Sequence, residues 1–351
     1  MKDYSMMDAA LEFLAPYGPD LRNGLTSHAP MAVEALAALG RADAVMPWLE
    51  AYRKGMEPRP VTREPIGRDD WRTALGRTER VADWEALFAN EIAEARWPEV
   101  LARWTARLAP GICASAMHGV IRVGHAVRSL GEAETPARLR ELADGLGYWA
   151  AAYQTLPTAW NTRDRMRARD AIARVPVVPP AQRTFRGTIV SSLAGLDDFP
   201  AFAPVIGLLD VSAEPARVLS ELTETFARVY LANARDFLGA IVFIHGVTSA
   251  AAVRSLVPYL PEASARDATR WAWQAGCALY SAFGSAPALA GEIEPPRESP
   301  DTLVDMAVAN GDEHAIKFTE ACLREHELNP SPAYLAAARD AMGMLERTPV
   351  A

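Results

Sequence analysis

The sequence predicts an all-α protein, and three observations carry the prediction. Half of the 351 residues are apolar, which is enough to bury a sizeable core at this length. Apolar residues recur at helical spacing along most of the chain, whereas alternation typical of strands is scarce. Prolines and glycines separate the periodic segments. We therefore expect one large multi-helix domain over residues 1–351.

The helical pattern appears in ten segments, taken in chain order. They cover residues 5–15, 29–54, 81–107, 113–130, 135–155, 214–257, 262–284, 300–309, 312–327 and 332–346. Proline-rich breaks fall at 56–65, 175–181 and 286–300, because proline lacks an N–H donor and ends helices. The middle break allows an N-terminal half, 1–174, and a C-terminal half, 182–351. We expect the two halves to share one central, buried site.

Charge and apolar run length argue against two classes of partner. The chain has 36 basic and 44 acidic side chains, a formal net charge of −8, and no basic block, so we expect no nucleic acid. The longest uninterrupted apolar run, 237–244, is shorter than the roughly 18 residues of a spanning helix. The N-terminus lacks a signal-peptide pattern. We expect a cytoplasmic protein that does not enter the membrane.

The numbers and positions of the cysteines and lysines limit which covalent links and metal ligands we expect. Cys113, Cys277 and Cys322 lie far apart, which argues against a disulfide framework or a thiolate zinc site. Of the 36 basic residues only three are lysines, Lys2, Lys54 and Lys317. Lysine can lose its proton and accept a carboxyl group and arginine cannot, so a lysine in a special position merits attention.

Four of the six histidines lie in apolar, small-residue segments: His28, His118, His245 and His314. A buried imidazole needs a partner. Each ring could bond a backbone carbonyl as a separate core histidine, or the four could converge on Fe, Zn, Cu or Ni. HExxH is absent, as is the HxD or HxE start of a facial triad. The residues alone leave both interpretations open.

His314 and Lys317 lie three residues apart near a helix start, so their side chains can address one point. Asp312 is the expected N-cap, after a helix stop at Asn310-Gly311. An ammonium beside a metal would be repelled, so this lysine would be neutral, distant or carboxylated. The alternative is a lysine on the helix surface with its charge in solvent.

These segments together resemble the questin oxidase-like family. The resemblance rests on NGLTSHAPMAVEALAALG (23–40), HGVIRVGHAVRSLG (118–131), HGVTSAAAVRSL (245–256) and GDEHAIKFTEACLRE (311–325). It implies a mostly helical, single-domain enzyme that opens a ring of an anthraquinone-type aromatic polyketide with O2, in a Baeyer–Villiger-type or dioxygenase step. It also implies a non-haem Fe(2+) held by four histidines and a carboxylated lysine.

The family's ligand positions fall, by the resemblance, on His28, His118, His245, His314 and Lys317. A carbamate on Lys317 would supply the anionic oxygen that a carboxylate supplies in commoner iron sites.

The chain departs from the fungal pattern of a second histidine one turn after His118 and a tyrosine further on, because Arg122 and His125 occupy those places. We expect His125 to act catalytically beside the metal, behind a ligand or facing the substrate.

Other functions remain open from the sequence alone. No GxGxxG precedes a helix after a strand, so NADPH would have to bind by another route, and an electron-rich substrate could make it unnecessary. A carbamate-lysine metal hydrolase uses the same ligand types, and a non-catalytic helical binding protein would only pack its histidines. Aromatic residues at helical spacing fit a core or the walls around a flat substrate. The oligomeric state could be monomer or homodimer.

Overall fold

The computed structural model describes residues 1–160 and 165–345 and confirms the all-α prediction. Within those ranges the one sheet has two strands. The chain divides into two compact units: unit 1 is Met1–Gln154 with Ser255–Ser264, and unit 2 is Thr155–Arg254 with Ala265–Ala351. The proline-rich segment 175–181, where the sequence allowed a division, lies inside unit 2.

Unit 1 is built from seven α-helices and the small sheet. The helices are α1 (Met7–Leu14), α2 (Ala29–Ala38), α3 (Ala42–Tyr52), α4 (Val81–Glu94), α5 (Trp97–Leu108), α6 (His118–Glu132) and α7 (Pro136–Ala151). Strands β1 (Tyr17–Leu21) and β2 (Met56–Pro58) pair antiparallel. The sheet was not predicted, because these short strands have no alternating pattern.

Two predicted helical segments of unit 1 are each split in two. Segment 29–54 breaks between α2 and α3, where Gly40 has a φ of 74°, a value that glycine adopts readily. Segment 81–107 breaks between α4 and α5, just ahead of Pro98 at the start of α5, because the residues before a proline are disfavoured in a helix.

The core of unit 1 includes an aromatic cluster that fixes α4 and α5. Trp104 lies at the centre, with ring centroids 5.1 Å from Trp71, 5.6 Å from Trp84 and 4.8 Å from Phe88. The indole N–H of Trp104 donates to the Glu91 carboxylate at 2.8 Å, so its polar atom is satisfied. These edge-to-face contacts are packing interactions, and they show that tryptophans at helical spacing here form core.

Unit 2 contains the remaining α-helices. They are α8 (Ala168–Ala171), α9 (Ile189–Ala194), α10 (Pro215–Asn233), α11 (Phe237–Leu256), α12 (Glu262–Phe283), α13 (Pro300–Asn310), α14 (Glu313–Leu328) and α15 (Pro332–Met344). The first residues of α12 belong to the segment 255–264 of unit 1. The predicted segment 214–257 is split at 234–236, between α10 and α11.

Side-chain N-caps start several helices of unit 2. Ser299, Asp312 and Ser331 accept hydrogen bonds from backbone N–H groups in the first turns of α13, α14 and α15. Each cap satisfies donors that a helix start leaves without an intrahelical partner. The predicted helix stop and start at 310–312 is confirmed, because Gly311 has a φ of 74° and Asp312 is the N-cap.

Among residues 1–160 and 165–345, one helix is long and apolar enough to cross a membrane. It runs from Phe237 to Tyr259, and 78% of its apolar window is buried. The buried core helix of a globular protein can have the same length and apolar composition, so these two properties do not identify a membrane segment. The expectation from the sequence, that no segment enters the membrane, stays an expectation.

Candidate metal centre

His28 is the N-cap residue of α2 and is buried, with 4% of its surface exposed. Pro30, in the first turn of α2, suits a helix start because that turn leaves N–H groups unused. The backbone N–H of His28 donates to the hydroxyl oxygen of Tyr52 in α3 at 3.0 Å. These contacts fix the backbone at His28.

His118 is the first residue of α6, five residues later than the sequence pattern predicts. The three residues before it have left-handed backbone conformations, with φ of 48° at Ser115, 53° at Ala116 and 69° at Met117. This conformation costs roughly 1–2 kcal/mol per non-glycine residue. The start of α6 therefore depends on contacts that hold the turn in place.

Three hydroxyl groups contact one another at this turn. The Tyr148 hydroxyl lies 2.6 Å from the Thr26 hydroxyl and 2.7 Å from the Ser115 hydroxyl, and Thr26 and Ser115 are 3.1 Å apart. Burial raises the pKa of Tyr148 above its ordinary value, so the phenol keeps its proton and can donate it. The cluster holds the left-handed turn against α7.

The His118 ring is held by that same turn. Its Nδ1 lies 2.5 Å from the carbonyl oxygen of Ser115. A carbonyl can only accept, so Nδ1 carries the proton and Nε2 is the nitrogen with the lone pair. This is the arrangement that orients histidines bound to metals.

The rings of His28 and His118 form a close pair, with centroids 4.4 Å apart. A metal–nitrogen bond of about 2.1 Å places a ring centre about 3.2 Å from the metal, so two rings on one metal have centres roughly 4.5 Å apart at right angles and roughly 6.4 Å apart when opposite. The His28–His118 separation therefore fits adjacent positions on a single metal ion.

His245 lies in the middle of α11 and is 2% exposed. Its Nδ1 is 2.6 Å from the carbonyl oxygen of Ile241, one turn earlier, so Nε2 is again the lone-pair nitrogen. Burial, followed by the charges of His314 and Lys317, lowers the pKa of His245 to about 3. The ring is therefore neutral at physiological pH, as a metal ligand must be.

His314 lies in the first turn of α14, and Asp312 holds it in place. The Asp312 carboxylate accepts the backbone N–H of His314 at 2.8 Å and lies 3.1 Å from His314 Nδ1. Burial pushes the pKa of Asp312 upward, but the hydrogen bonds from His314 outweigh it and lower that pKa. An ionised carboxylate on Nδ1 is a common partner of metal-bound histidine.

The His245 and His314 ring centroids are 6.1 Å apart. This separation lies near the upper end of the range that two imidazoles on one metal can have. The two rings therefore fit wide-angle positions on a single ion. Each unit thus contains one histidine pair with a spacing that a single metal permits. His28, His118 and His245 are buried, and His314 is half-buried.

Lys317 lies on α14 one turn after His314 and is 4% exposed, so it is not a surface lysine with its charge in solvent. Burial lowers the pKa of Lys317 to about 8, although the carboxylates of Glu313 and Asp312 oppose the shift. A larger fraction of this amine is neutral at physiological pH than for an ordinary lysine. The neutral amine is the form that reacts with CO2.

His125 and Arg122, the two residues that depart from the fungal pattern, have partners in unit 1. His125 Nδ1 lies 2.5 Å from the carboxylate of Glu34 in α2, which also binds Arg128. Arg122 is paired through two nitrogens with Glu141 of α7, at 2.7 and 2.9 Å. Both side chains link α6 to a neighbouring helix. The predicted catalytic role of His125 stays a prediction.

Sequence reasoning missed two parts of this arrangement. Asp312 was predicted as a helix cap but not as the carboxylate that contacts the His314 ring. The signal in the sequence is an acidic N-cap residue two positions before a histidine. The left-handed turn at 115–117 has no such signal, because none of its residues is glycine or asparagine.

The chain belongs to the questin oxidase-like family. The family's model matches residues 25–322, a span that contains all four histidines and Lys317. No curated protein matches the chain. The resemblance read from the four histidine segments is therefore confirmed, and the family name indicates an oxidase or oxygenase.

Proposed function

We propose that this protein is a non-haem iron oxygenase that opens a ring of an anthraquinone-like aromatic substrate with O2. The proposed ligands of Fe(2+) are His28, His118, His245, His314 and a carboxylated Lys317. The observation that carries the proposal is the close pair of histidines in each unit, with ring separations of 4.4 and 6.1 Å; three of the four rings are buried and His314 is half-buried. Membership of an oxidase-like family gives the reaction class.

The donor set fits a first-row transition metal such as iron rather than Mg or Ca. Imidazole nitrogens suit Fe, Zn, Cu and Ni, whereas Mg and Ca prefer oxygen ligands. Three of the four rings have Nδ1 against a carbonyl or a carboxylate, which presents Nε2 as the ligand atom. Four neutral rings leave the charge of the metal uncompensated, and a carbamate on Lys317 would supply one negative charge.

Carboxylation of Lys317 requires only CO2. The neutral Nζ attacks the carbon of CO2, an N–C bond forms, one C=O π bond becomes the carbamate oxyanion, and one proton leaves the nitrogen. Glu313, whose charge acts on Lys317, is a carboxylate one turn earlier on α14 that can receive this proton. The buried position of Lys317 then keeps water from the carbamate.

Ferrous iron, when bound, would supply the one-electron chemistry that ground-state O2 needs in order to react with a closed-shell aromatic ring. The chain's own contribution is to hold three of the histidine rings by their Nδ1 atoms and to keep His245 neutral by burial. An electron-rich phenol or hydroquinone ring can provide electrons itself, so we propose no separate site for NADPH.

Metal analysis and oxygen uptake test this function. We expect protein purified anaerobically without added metal to contain stoichiometric iron and to consume O2 with a hydroxyanthraquinone. His314→Ala should lose both properties. His326→Ala is the matched control, because His326 lies on the same helix but its Nδ1 contacts Ser331 instead, and it should retain both.

Two results would replace the proposal. Zinc with hydrolysis of an ester or lactone substrate, and no O2 uptake, would identify a carbamate-lysine hydrolase. Absence of any metal in protein isolated from metal-replete cells, with His314→Ala unchanged in every property, would identify a binding protein whose histidines only pack.

A further inference from the structure

A second site lies in unit 1, in a cleft along α4 and α7. The cavity has a volume of about 530 Å³, within the range of small-molecule sites. We call it the α4–α7 cleft. Much of its wall is apolar and comes from Ala86, Ala89, Ile92, Leu139 and Ala143. A wall of this kind fits the hydrocarbon part of a small molecule.

Two ion pairs lie in or beside the cleft and satisfy two acidic groups, Asp144, which lines the cleft, and Glu141, which does not. Arg59 donates to both oxygens of Asp144, at 3.0 and 2.5 Å. Arg122 donates to both oxygens of Glu141. Such two-point pairs are the strongest arrangement of arginine with carboxylate. Each arginine therefore has a carboxylate of its own.

Glu85 is the third acidic group, and it lines the cleft from α4. It is 7% exposed. Its Oε2 accepts one hydrogen bond, at 2.9 Å, from the Arg59 nitrogen that also serves Asp144. Its Oε1 has no hydrogen-bond partner within residues 1–160 and 165–345. This oxygen is not sealed from solvent, so a donor that enters the cleft can reach it.

The charges around Glu85 do not balance. Glu85, Glu141 and Asp144 face only Arg59 and Arg122, and the other arginine of the cleft, Arg140, is itself paired with Glu12 at 3.2 Å. Burial, followed by the charge of Asp144, raises the pKa of Glu85 to about 7. When Glu85 is ionised, these three carboxylates therefore carry one negative charge more than Arg59 and Arg122 neutralise.

We propose that the α4–α7 cleft binds a small organic cation, a protonated amine on an apolar body. The ammonium donates to Oε1 of Glu85, and the apolar body packs on the alanine, isoleucine and leucine wall. Mg²⁺ or Ca²⁺ is disfavoured, because each takes six or more oxygen ligands and the Asp144 and Glu141 oxygens are already bound by arginine. This site is independent of the proposed iron centre.

Binding of 2-phenylethylamine and of 2-phenylethanol to the full chain, followed by calorimetry or ligand-observed NMR, tests the proposal. The two probes have the same apolar body and differ in charge. We expect the amine to bind with a Kd on the order of 1 mM or lower, and the alcohol at least roughly tenfold more weakly. Amine binding should strengthen from pH 6 to pH 8, as Glu85 ionises.

Two variants test the residues. Glu85→Gln should weaken amine binding at least roughly tenfold and remove its pH dependence. Glu94→Gln is the matched control, because Glu94 is exposed on the same helix and pairs with Arg68, and it should bind as the wild type does. Ala86→Leu, at a half-buried position of the wall, should narrow the cleft and weaken both probes while leaving the unfolding midpoint unchanged.

Three results would overturn the proposal: equal affinity for amine and alcohol, unchanged amine binding in Glu85→Gln, or binding of neither probe. If Glu85→Gln does not fold, Ala86→Leu and the pH dependence of the wild-type protein decide the matter. Loss of iron from the protein should not alter amine binding, so the outcome is separable from that of the proposed oxygenase function.

Discussion

Replacing Lys317 by methionine should stabilise the metal-free protein while removing its proposed function. Methionine has nearly the same length and shape as the lysine side chain but no charge, so the buried position stays filled. Lys317 is 4% exposed, and burial is the main cause of its lowered pKa. The folded wild-type protein therefore bears the free-energy cost of burying a charged amine, and the variant does not.

The size of that cost follows from the pKa. Burial lowers the pKa of Lys317 from 10.5 to about 8, and each unit corresponds to about 1.4 kcal/mol. The cost is therefore on the order of 3 kcal/mol. Below pH 8 lysine is protonated in both the folded and the unfolded state, and the folded state bears the whole cost.

The pH dependence has a definite sign. Between pH 8 and pH 10.5 the unfolded state binds more protons at this group than the folded state, so wild-type stability rises with pH over that window. Above pH 10.5 the amine is neutral in both states and the cost is gone. The advantage of Lys317→Met should therefore be about 3 kcal/mol at pH 7 and disappear near pH 10.5.

Urea unfolding of metal-free protein in CO2-free buffer at pH 7 and pH 10.5 measures both values. Lys54→Met is the matched control, because Lys54 is exposed and its replacement should change stability by less than about 0.5 kcal/mol at either pH. A loss of stability in Lys317→Met at pH 7, or a gain that is the same at both pH values, would refute the reasoning. The variant should consume no O2 in either case.

Three further predictions concern other parts of the structure. Lys317→Arg should abolish iron binding and turnover, because a guanidinium cannot be carboxylated. Circular dichroism should show the helices intact, because both residues are good helix formers. Normal iron content in this variant would exclude the carbamate role. Ala116→Gly should leave the free energy of unfolding in urea unchanged or raise it by up to about 1 kcal/mol, since glycine adopts the left-handed conformation without strain. The control Ala126→Gly, inside α6, should lower it by about 1 kcal/mol. Equal losses in both variants would contradict the strain at the turn. Arg122→Met should lower the free energy of unfolding by about 3–5 kcal/mol, because it leaves Glu141 buried without its partner. Adding Glu141→Met should recover much of that loss. A double variant no more stable than the single one would show that Arg122 does not stabilise the protein through this ion pair.

Local pattern was sufficient for most of the helices. The predicted segments 262–284, 300–309 and 312–327 end within one residue of α12, α13 and α14, because an amphipathic repeat and helix caps are encoded in neighbouring residues. The prediction was wrong where long segments are split, as at 234–236 between α10 and α11. The short helices between 168 and 208 were missed, because they lack two full turns of periodic pattern.

The candidate ligands were also readable from the sequence. Four histidines in apolar segments and one of only three lysines stand out by type and position. The structure buries four of the five, leaves His314 half-buried, and pairs the rings within each unit. Their assignment to iron came from the family resemblance, since spacing alone left several metals and a metal-free core open.

Tertiary structure alone decided how these side chains are held and which charges lack a partner. Composition shows an excess of acid over base. Only the fold gives Asp144 and Glu141 an arginine each and leaves Glu85 with a single hydrogen bond, from the Arg59 nitrogen that also serves Asp144. The left-handed turn before His118 is likewise maintained by Thr26 and Tyr148, which are distant in sequence. Helix formation depends on residues within about four positions of one another, whereas ion pairing, burial and backbone strain depend on residues that only folding brings into contact.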